Sequence, residues 1–242
     1  MEERFFKFSN LSSYPEIIHG ISKRSYGDMR LGHRPEGEVI KNREQFLQDL
    51  GVSANQIVIP QQVHSSHIMV VDQPSPVISA TDGLITTAKG LFLMITVADC
   101  LPVLIYDPMQ KIVGILHAGW RGIIKQIIIE AIEKLESLGS DPENLIVGIG
   151  PGICQKHFIV KNDVLGKFLD FYPSATLVRN NDGYVDLKKA VLIDLKKKGI
   201  LLGNIEVSHS CPSCDNGIYG SFRKEGELAP AAAAVIGMRV TE

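Results

Sequence analysis

The chain has 242 residues, of which 45% are hydrophobic and 21% charged, and its formal net charge is −2. This length can bury a sizeable hydrophobic core, and the composition is ordinary for a globular protein. The small charge gives no electrostatic basis for binding nucleic acid or an anionic membrane, and no apolar run is long enough to span a bilayer.

The spacing of apolar residues predicts short strands alternating with a few helices. The predicted strands cover residues 57–59, 68–71, 91–97, 103–106, 112–116, 145–149, 205–207 and 231–240. The predicted helices cover residues 38–50, 123–138, 164–172 and 187–198. Asp186 is a candidate N-cap of the last helix, whose lysines are expected to form a solvated face. We therefore expect an α+β fold: a single domain over 1–242 with a mixed β-sheet core and flanking helices.

Three potential metal ligands stand where predicted strands end. His64 follows the strand 57–59, Cys100 follows the strand 91–97, and His117 follows the strand 112–116. Because neighbouring strand ends of one sheet can converge, we expect these side chains to meet. Two histidines and one cysteine suit zinc, and three protein ligands with a vacant fourth position are typical of catalytic zinc.

Copper is the less favoured alternative to zinc. The same ligands suit a copper site, so ligand identity alone does not decide the metal. Multicopper oxidases build their trinuclear cluster from H-x-H pairs, and none of the seven histidines forms such a pair. A trinuclear copper cluster within this chain is therefore not expected.

Two charged residues near these ligands have more than one interpretation. Arg121 stands beside the only tryptophan, where a helix is predicted to begin, and helix N-termini favour anions. It therefore either binds phosphate or makes a structural contact. Asp99, next to the candidate ligand Cys100, either forms a turn or accepts a hydrogen bond from a ligand histidine.

The four cysteines do not resemble a disulfide framework, so we expect reduced thiols and a cytoplasmic protein. Cys211-x-x-Cys214 is similar to half of a zinc ribbon or to a redox pair. No second C-x-x-C occurs, and a structural zinc would have to recruit His209 or a distant residue. We expect two reduced thiols in a loop that are not needed for activity.

Several short motifs occur in an order that is typical of one family. The most specific block is Ala98 to Gly122, which contains the Ala-Asp-Cys-Leu-Pro-Val and His-Ala-Gly-Trp-Arg-Gly motifs. The weaker motifs are Asn42-Arg43, Gln62-Val63-His64, Asp82-Gly83-Leu84-Ile85-Thr86, Gly150-Pro151-Gly152-Ile153 and Ser221-Phe222-Arg223-Lys224-Glu225-Gly226. Together they resemble the YfiH-like family, long labelled polyphenol oxidase or laccase-domain proteins, over nearly the whole chain.

The resemblance implies a purine nucleoside phosphorylase that also deaminates adenosine, with purine nucleosides and phosphate as its small-molecule partners. It implies a zinc ion held by His64, Cys100 and His117. We expect Cys100, His117 and Arg121 to take part in catalysis. Arg43, Asp82 and Arg121 are expected to bind substrate, although Asp82 also fits a structural turn.

Two further functions use the same ligands, and the resemblance leaves them open. Cys100 could be a nucleophile with His117 as its base, as in a cysteine hydrolase or amidase. The older family label instead implies a copper-dependent polyphenol oxidoreductase.

The chain also departs from the family pattern at Ser65, where glycine is usual, and at Phe158-Ile159-Val160, where the family tends to carry a glutamate.

Overall fold

The computed structural model describes residues 4–74, 78, 80–180 and 182–240, and the fold of these residues is α+β, as predicted. The strands are β1 Phe5–Phe6, β2 Ile17–Ser22, β3 Ile57–Val58, β4 Ile68–Val70, β5 Gly83–Thr86, β6 Phe92–Val97, β7 Leu101–Asp107, β8 Ile112–Ala118, β9 Ile146–Ile149, β10 Ile159–Val160, β11 Thr176–Arg179, β12 Asp182–Val185, β13 Ile205–Val207 and β14 Ala232–Met238. The helices are α1 Ser9–Ser12, α2 Glu36–Leu50, α3 Trp120–Ile124, α4 Ile127–Ser137, α5 Asn162–Phe171, α6 Leu187–Lys197 and α7 Phe222–Glu225. Across these ranges, no helix has both the length and the apolarity that crossing a bilayer requires.

The strands form two mixed sheets and a small antiparallel one, rather than a single core sheet. The first sheet has the order β1-β2-β14-β6-β3, the second β13-β9-β7-β8-β5-β4, and the third β10-β12-β11. The chain passes from the first sheet to the second through residues 98–100, where Asp99 has a φ of 80°. Side-chain alternation marks a strand but does not show which sheet it joins, and the structure divides the predicted mixed β-sheet core between two larger sheets.

The two larger sheets pack face to face between two layers of helices. On β7, Leu104 and Tyr106 point into the core between the sheets, whereas Val103 and Ile105 point toward the helices. The side chains of β6 likewise point alternately into that core and toward α2. The order of layers is therefore α2, the first sheet, the second sheet and the group α3 to α6.

The predicted helix over 123–138 is two helices, and it begins earlier, at Trp120. The break lies at Gln126, whose φ of 65° is in the left-handed region. Ile123 before the break and Ile127 after it are both fully buried. The apolar spacing therefore continues across the break, and it could not reveal that Arg121 belongs to a separate short helix.

Helix α6 carries a buried carboxyl group that predicts a pH dependence of stability. Asp194 is 3% exposed and accepts a hydrogen bond of 2.7 Å from the Tyr172 hydroxyl. Burial raises the pKa of Asp194 to about 6, although the hydrogen bond from Tyr172 lowers this pKa by a smaller amount. The pKa of Asp194 is higher in the folded state than in the unfolded state, so the protonated carboxyl group stabilises the fold. This stabilisation is fully present below about pH 4 and is lost as the pH rises through about 6.

We expect Asp194→Asn to remove this dependence. Relative to the unsubstituted protein, its free energy of unfolding should rise by roughly 2 kcal/mol between pH 4 and pH 7. Urea unfolding at several pH values measures the difference, with the exposed Asp170→Asn as the control. A difference that stays constant over this range would contradict the assignment.

Candidate metal centre and substrate cleft

The side chains of His64, Cys100 and His117 meet where loops of the two larger sheets come together. Their possible ligand atoms all lie within 4.8 Å of one another. His64 lies between β3 and β4, Cys100 in the connection from β6 to β7, and His117 near the end of β8. The structure thus brings together the three residues that the sequence singled out. It does so between two sheets rather than at the edge of one.

Gly119 leaves open space among the three side chains. A Cβ at this position would lie 2.9 Å from Cys100 Sγ and 3.1 Å from His64 Cδ2. The backbone of Gly119, with φ −76° and ψ 164°, suits any residue, so the glycine supplies space and not conformational freedom. A cradle lined by two imidazoles and a thiol fits zinc, whose bonds to nitrogen and sulfur are about 2.1 and 2.3 Å long.

Asp82 holds this centre together from a fully buried position. Its carboxylate accepts backbone N–H groups from Val63, His64 and Ser65 at 3.2, 3.0 and 2.6 Å, and the Ser65 hydroxyl at 2.8 Å. It also pairs with Nδ1 of His117 at 2.8 Å. Burial acts to raise the pKa of Asp82, but the hydrogen bonds from His117 and Ser65 hold it well below its usual range.

The substrate contact that we predicted for Asp82 stays a prediction, and the contacts of its side chain in the structure are of another kind. Its oxygens are engaged within the protein, and it does not line the cleft beside the ligands. Its carboxylate instead fixes the ring of His117 through Nδ1, as carboxylates commonly do for ligand histidines, and leaves Nε2 as the nitrogen that faces Cys100 or a metal. Asp99, the sequence candidate for that role, accepts hydrogen bonds from the Ser221 hydroxyl at 2.8 Å and the Arg223 amide at 2.6 Å.

The loop that carries His64 is held in an uncommon conformation. His64 has a φ of 57°, and this left-handed turn lets three consecutive N–H groups point at one carboxylate. The Gln62 amide pairs with the backbone of Thr96 through two hydrogen bonds of 2.8 Å. The loop is thereby attached to β6, the strand that leads to Cys100.

Cys100 and His117 favour opposite charges. Burial acts to raise the pKa of the Cys100 thiol, but His117 and the hydrogen bond from His64 lower it to about 6. Burial likewise acts to lower the pKa of His117, whereas Cys100 and Asp82 raise it to about 9. The thiolate, which is the form that binds metals, is therefore favoured at neutral pH.

A cleft of about 1080 Å³ opens beside the three ligands. This volume is slightly above the usual range of about 300–1,000 Å³ for small-molecule sites. Besides the ligands, its walls include Arg43, Trp120, Arg121, Ile153, Phe158, Phe222 and Arg223. The cleft thus combines a possible metal centre with aromatic surfaces and several arginines.

The two arginines predicted to bind substrate both line this cleft, but their surroundings differ. Arg121 is exposed, and its guanidinium carbon lies 4.3 Å from the centre of the Trp120 ring. Among the described residues, none forms a hydrogen bond with the Arg121 side chain. Arg43 donates from Nε and Nη2 to the Met29 carbonyl at 2.8 and 2.6 Å. Arg121 is therefore the freer of the two for binding an anion.

Cys154, His157, Cys211 and Cys214 form a second cluster that could hold a metal ion. The expectation that Cys211 and Cys214 lack partners was wrong, because Cys154 and His157 supply two. His209 is exposed and is not a member of the cluster. The C-x-x-H motif at 154–157 is the sequence pattern that indicates these two partners. The C-x-x-C motif alone does not include it.

Comparisons with known proteins agree with the motifs. The family model described as "Multi-copper polyphenol oxidoreductase laccase" matches residues 17–239. A purine nucleoside phosphorylase of Deinococcus radiodurans is 32% identical over 222 residues, which cover 90% of this chain and 85% of the relative. The adenosine deaminase RL5 of an unknown prokaryotic organism is 29% identical over 202 residues, covering 78% and 77%. The crystal structure of the Bacillus licheniformis hypothetical protein YfiH superposes with a TM-score of 0.90 at 26% identity, over 98% of this chain and all of the other.

Proposed function

The chain belongs to the multi-copper polyphenol oxidoreductase laccase family, and we propose that it is a zinc-dependent enzyme of purine nucleosides. Its reactions would be phosphorolysis of adenosine, inosine, guanosine or methylthioadenosine, and deamination of adenosine. The observation that carries this proposal is the three-ligand cluster around Gly119, which opens onto a cleft lined by Arg121. The names of the phosphorylase and deaminase relatives support it.

The family label names copper, but the residues favour zinc. The chain contains no H-x-H pair from which a trinuclear copper cluster could be built. Two imidazoles and one thiolate that leave a fourth position open match a catalytic zinc site. A polyphenol oxidoreductase is therefore the weaker proposal.

In this proposal His64, Cys100 and His117 hold the zinc ion, and Asp82 keeps the proton on Nδ1 of His117. Zinc with three protein ligands supplies Lewis acidity and lowers the pKa of water in its open position. In deamination, water adds its oxygen to C6 of adenosine and ammonia leaves, so that inosine is formed. The task of the protein is to hold the purine ring with C6 at the ligand cluster.

In phosphorolysis, a phosphate oxygen forms a bond to C1′ of the ribose as the bond from C1′ to N9 breaks. The products are ribose 1-phosphate and the purine base, which takes up a proton at the ring. Arg121 binds the phosphate, because it reaches the cleft with its donors free while the Trp120 ring holds its guanidinium in place. Arg43 and Phe158 contribute the surfaces against which the nucleoside lies.

Assays of a purine nucleoside panel with and without phosphate test the proposal. Zinc-loaded protein should release free base and ribose 1-phosphate only with phosphate, and should form inosine from adenosine without it. Cys100→Ser should lose both activities together with the metal at this site. Zinc-loaded protein that turns over none of these nucleosides would contradict the proposal.

One observation favours a second function, that of a cysteine hydrolase. The pKa of Cys100 is lowered beside His117, as in an activated thiol nucleophile. Such an enzyme would stay active after zinc removal and would be inactivated by alkylation of Cys100. The zinc enzyme should instead lose activity on chelation and recover it when zinc is returned.

We expect Arg121→Lys to weaken phosphorolysis selectively. A guanidinium can bind phosphate through two parallel hydrogen bonds, and an ammonium group cannot reproduce this geometry. The KM for phosphate should rise by about 10-fold or more, which corresponds to roughly one such hydrogen bond. Adenosine deamination, which needs no phosphate, should change by less than about 3-fold.

Both activities are measured on one preparation of the variant with its zinc content checked. Lys125→Arg, on an exposed side chain just beyond α3, is the matched control. Equal loss of both activities at unchanged zinc content would show that Arg121 binds the nucleoside or supports the structure.

A further inference from the structure

The second cysteine and histidine cluster has the dimensions of a tetrahedral metal site. Nδ1 of His157 lies 3.4 Å from Cys154 Sγ, 3.4 Å from Cys214 Sγ and 3.8 Å from Cys211 Sγ. The Sγ atoms of Cys154 and Cys214 are 3.9 Å apart. A zinc tetrahedron with ordinary bond lengths has S···N edges of about 3.6 Å and S···S edges of about 3.8 Å.

We infer that Cys154, His157, Cys211 and Cys214 bind a structural zinc ion, separate from the centre at Cys100. The residues come as two pairs with the same spacing, C-x-x-H at 154–157 and C-x-x-C at 211–214. Three thiolates and one imidazole complete a tetrahedron and leave no position for water or substrate. Closed Cys₃His sites of this kind stabilise folds, whereas catalytic sites keep one position open.

The surroundings of the cluster suit a bound cation with three thiolates. The backbone N–H of Cys154 donates to Cys211 Sγ at 3.2 Å, a contact that stabilises a negatively charged sulfur. Lys188 was expected on a solvated face, but its ammonium is half-buried and donates to the carbonyls of Ser208 and Ser210 at 2.5 and 2.9 Å. It interacts electrostatically with the thiols of Cys211 and Cys154. Zinc with three thiolates has one net negative charge, which Lys188 offsets.

A disulfide explains the arrangement less well than zinc does. A bond between Cys154 and Cys214 would use two sulfurs and leave the third thiol and the imidazole without a role. In the structure Nδ1 of His157 instead lies within 3.8 Å of all three sulfurs. That convergence is expected around a shared ion.

The site joins a segment that contributes to one wall of the cleft to a second segment, the turn at 211–214. Ile153 and Phe158, on either side of the first ligand pair, both line that cleft. The carbonyl of His157 accepts a hydrogen bond of 3.0 Å from Nη1 of Arg223, another lining residue. The inferred zinc therefore fixes this wall to the turn at 211–214. The metal assignment itself does not depend on which molecule the cleft binds.

Metal analysis of variants tests the assignment independently of the proposed function. The His64→Ala, Cys100→Ser double variant should retain about one zinc per chain after purification and dialysis against zinc-free buffer. Cys154→Ser with Cys214→Ser should reduce the zinc content of the unsubstituted protein by one per chain. His209→Ala, which removes an exposed histidine near the cluster, should leave it unchanged. A His64→Ala, Cys100→Ser protein that holds no zinc after incubation with zinc and dialysis would overturn the assignment.

Alkylation of the unsubstituted protein gives a test that needs no variant to fold. Cys214 is exposed and as a free thiol would react at once with N-ethylmaleimide. We expect Cys154, Cys211 and Cys214 to be protected together and to become reactive together when a zinc chelator is added, with a fall in Tm. Immediate reaction of Cys214 would overturn the inference. Protection that is removed by a reductant and not by a chelator would overturn it in favour of a disulfide.

Discussion

Gly119→Ala is expected to prevent metal binding at the His64, Cys100 and His117 centre while the rest of the fold persists. The added methyl group would lie 2.9 Å from Cys100 Sγ and 3.1 Å from His64 Cδ2, inside the space that the ion would need. The backbone angles at this position accept alanine, so the effect is steric and local. Displacing the two ligands costs about 1–3 kcal/mol in folding free energy, as overpacked cores do.

The measurements are zinc content, both nucleoside activities and Tm. Zinc should fall by about one per chain, and both activities should drop by at least roughly 100-fold, because the chemistry that zinc supplies is lost with it. Gly166→Ala in α5 is the matched control, since a Cβ there meets nothing within 4 Å. It should be neutral or stabilise by up to about 1 kcal/mol. Full zinc content and activity in Gly119→Ala would show that the cradle is not the metal position.

Asp82→Asn is expected to have the second large effect, on stability as well as on metal affinity. Three backbone N–H groups, one hydroxyl and one imidazole converge on this carboxylate. An asparagine directs its own NH₂ group at some of these donors and carries no charge. Leaving buried donors without an acceptor costs about 1–3 kcal/mol for each, so we expect a loss of about 3 kcal/mol or more.

The affinity for zinc should also fall by about 10- to 100-fold, the usual effect of removing a group that orients a ligand histidine. Ser65→Ala provides a graded comparison, because it removes one hydroxyl contact to Asp82 and keeps the backbone donors. It should cost only about 1 kcal/mol. Denaturant unfolding and zinc titration measure both effects. If Asp82→Asn kept the affinity and stability of the unsubstituted protein, Asp82 would not be the residue that positions His117.

Local sequence patterns determined much of the secondary structure and the identity of the candidate ligands. Alternating apolar residues located most long strands, and Asp186 caps α6 as predicted, accepting the Lys189 amide at 3.0 Å. The family resemblance is confirmed by the match over residues 17–239. Periodicity and capping depend on neighbours within a few positions, so the sequence displays them directly.

Only the tertiary structure shows which residues, distant in sequence, form hydrogen bonds with the candidate metal ligands. Asp82 reaches His117 across 35 positions, while Asp99, adjacent to Cys100, turns instead toward Ser221. The break at Gln126 is a backbone angle that leaves the apolar spacing intact. Asp82 meets His117 because β5 pairs with β8, and this pairing of separate segments is not visible in the sequence.

In the second cluster, too, the sequence shows the short motifs, and only the fold shows that they meet. The sequence displays C-x-x-H at 154–157 and C-x-x-C at 211–214, but it does not show that the two pairs meet. The fold brings Cys154 within 3.9 Å of Cys214, 60 positions away. A tetrahedral site needs four ligand atoms in one place, and only the packing of separate segments puts them there.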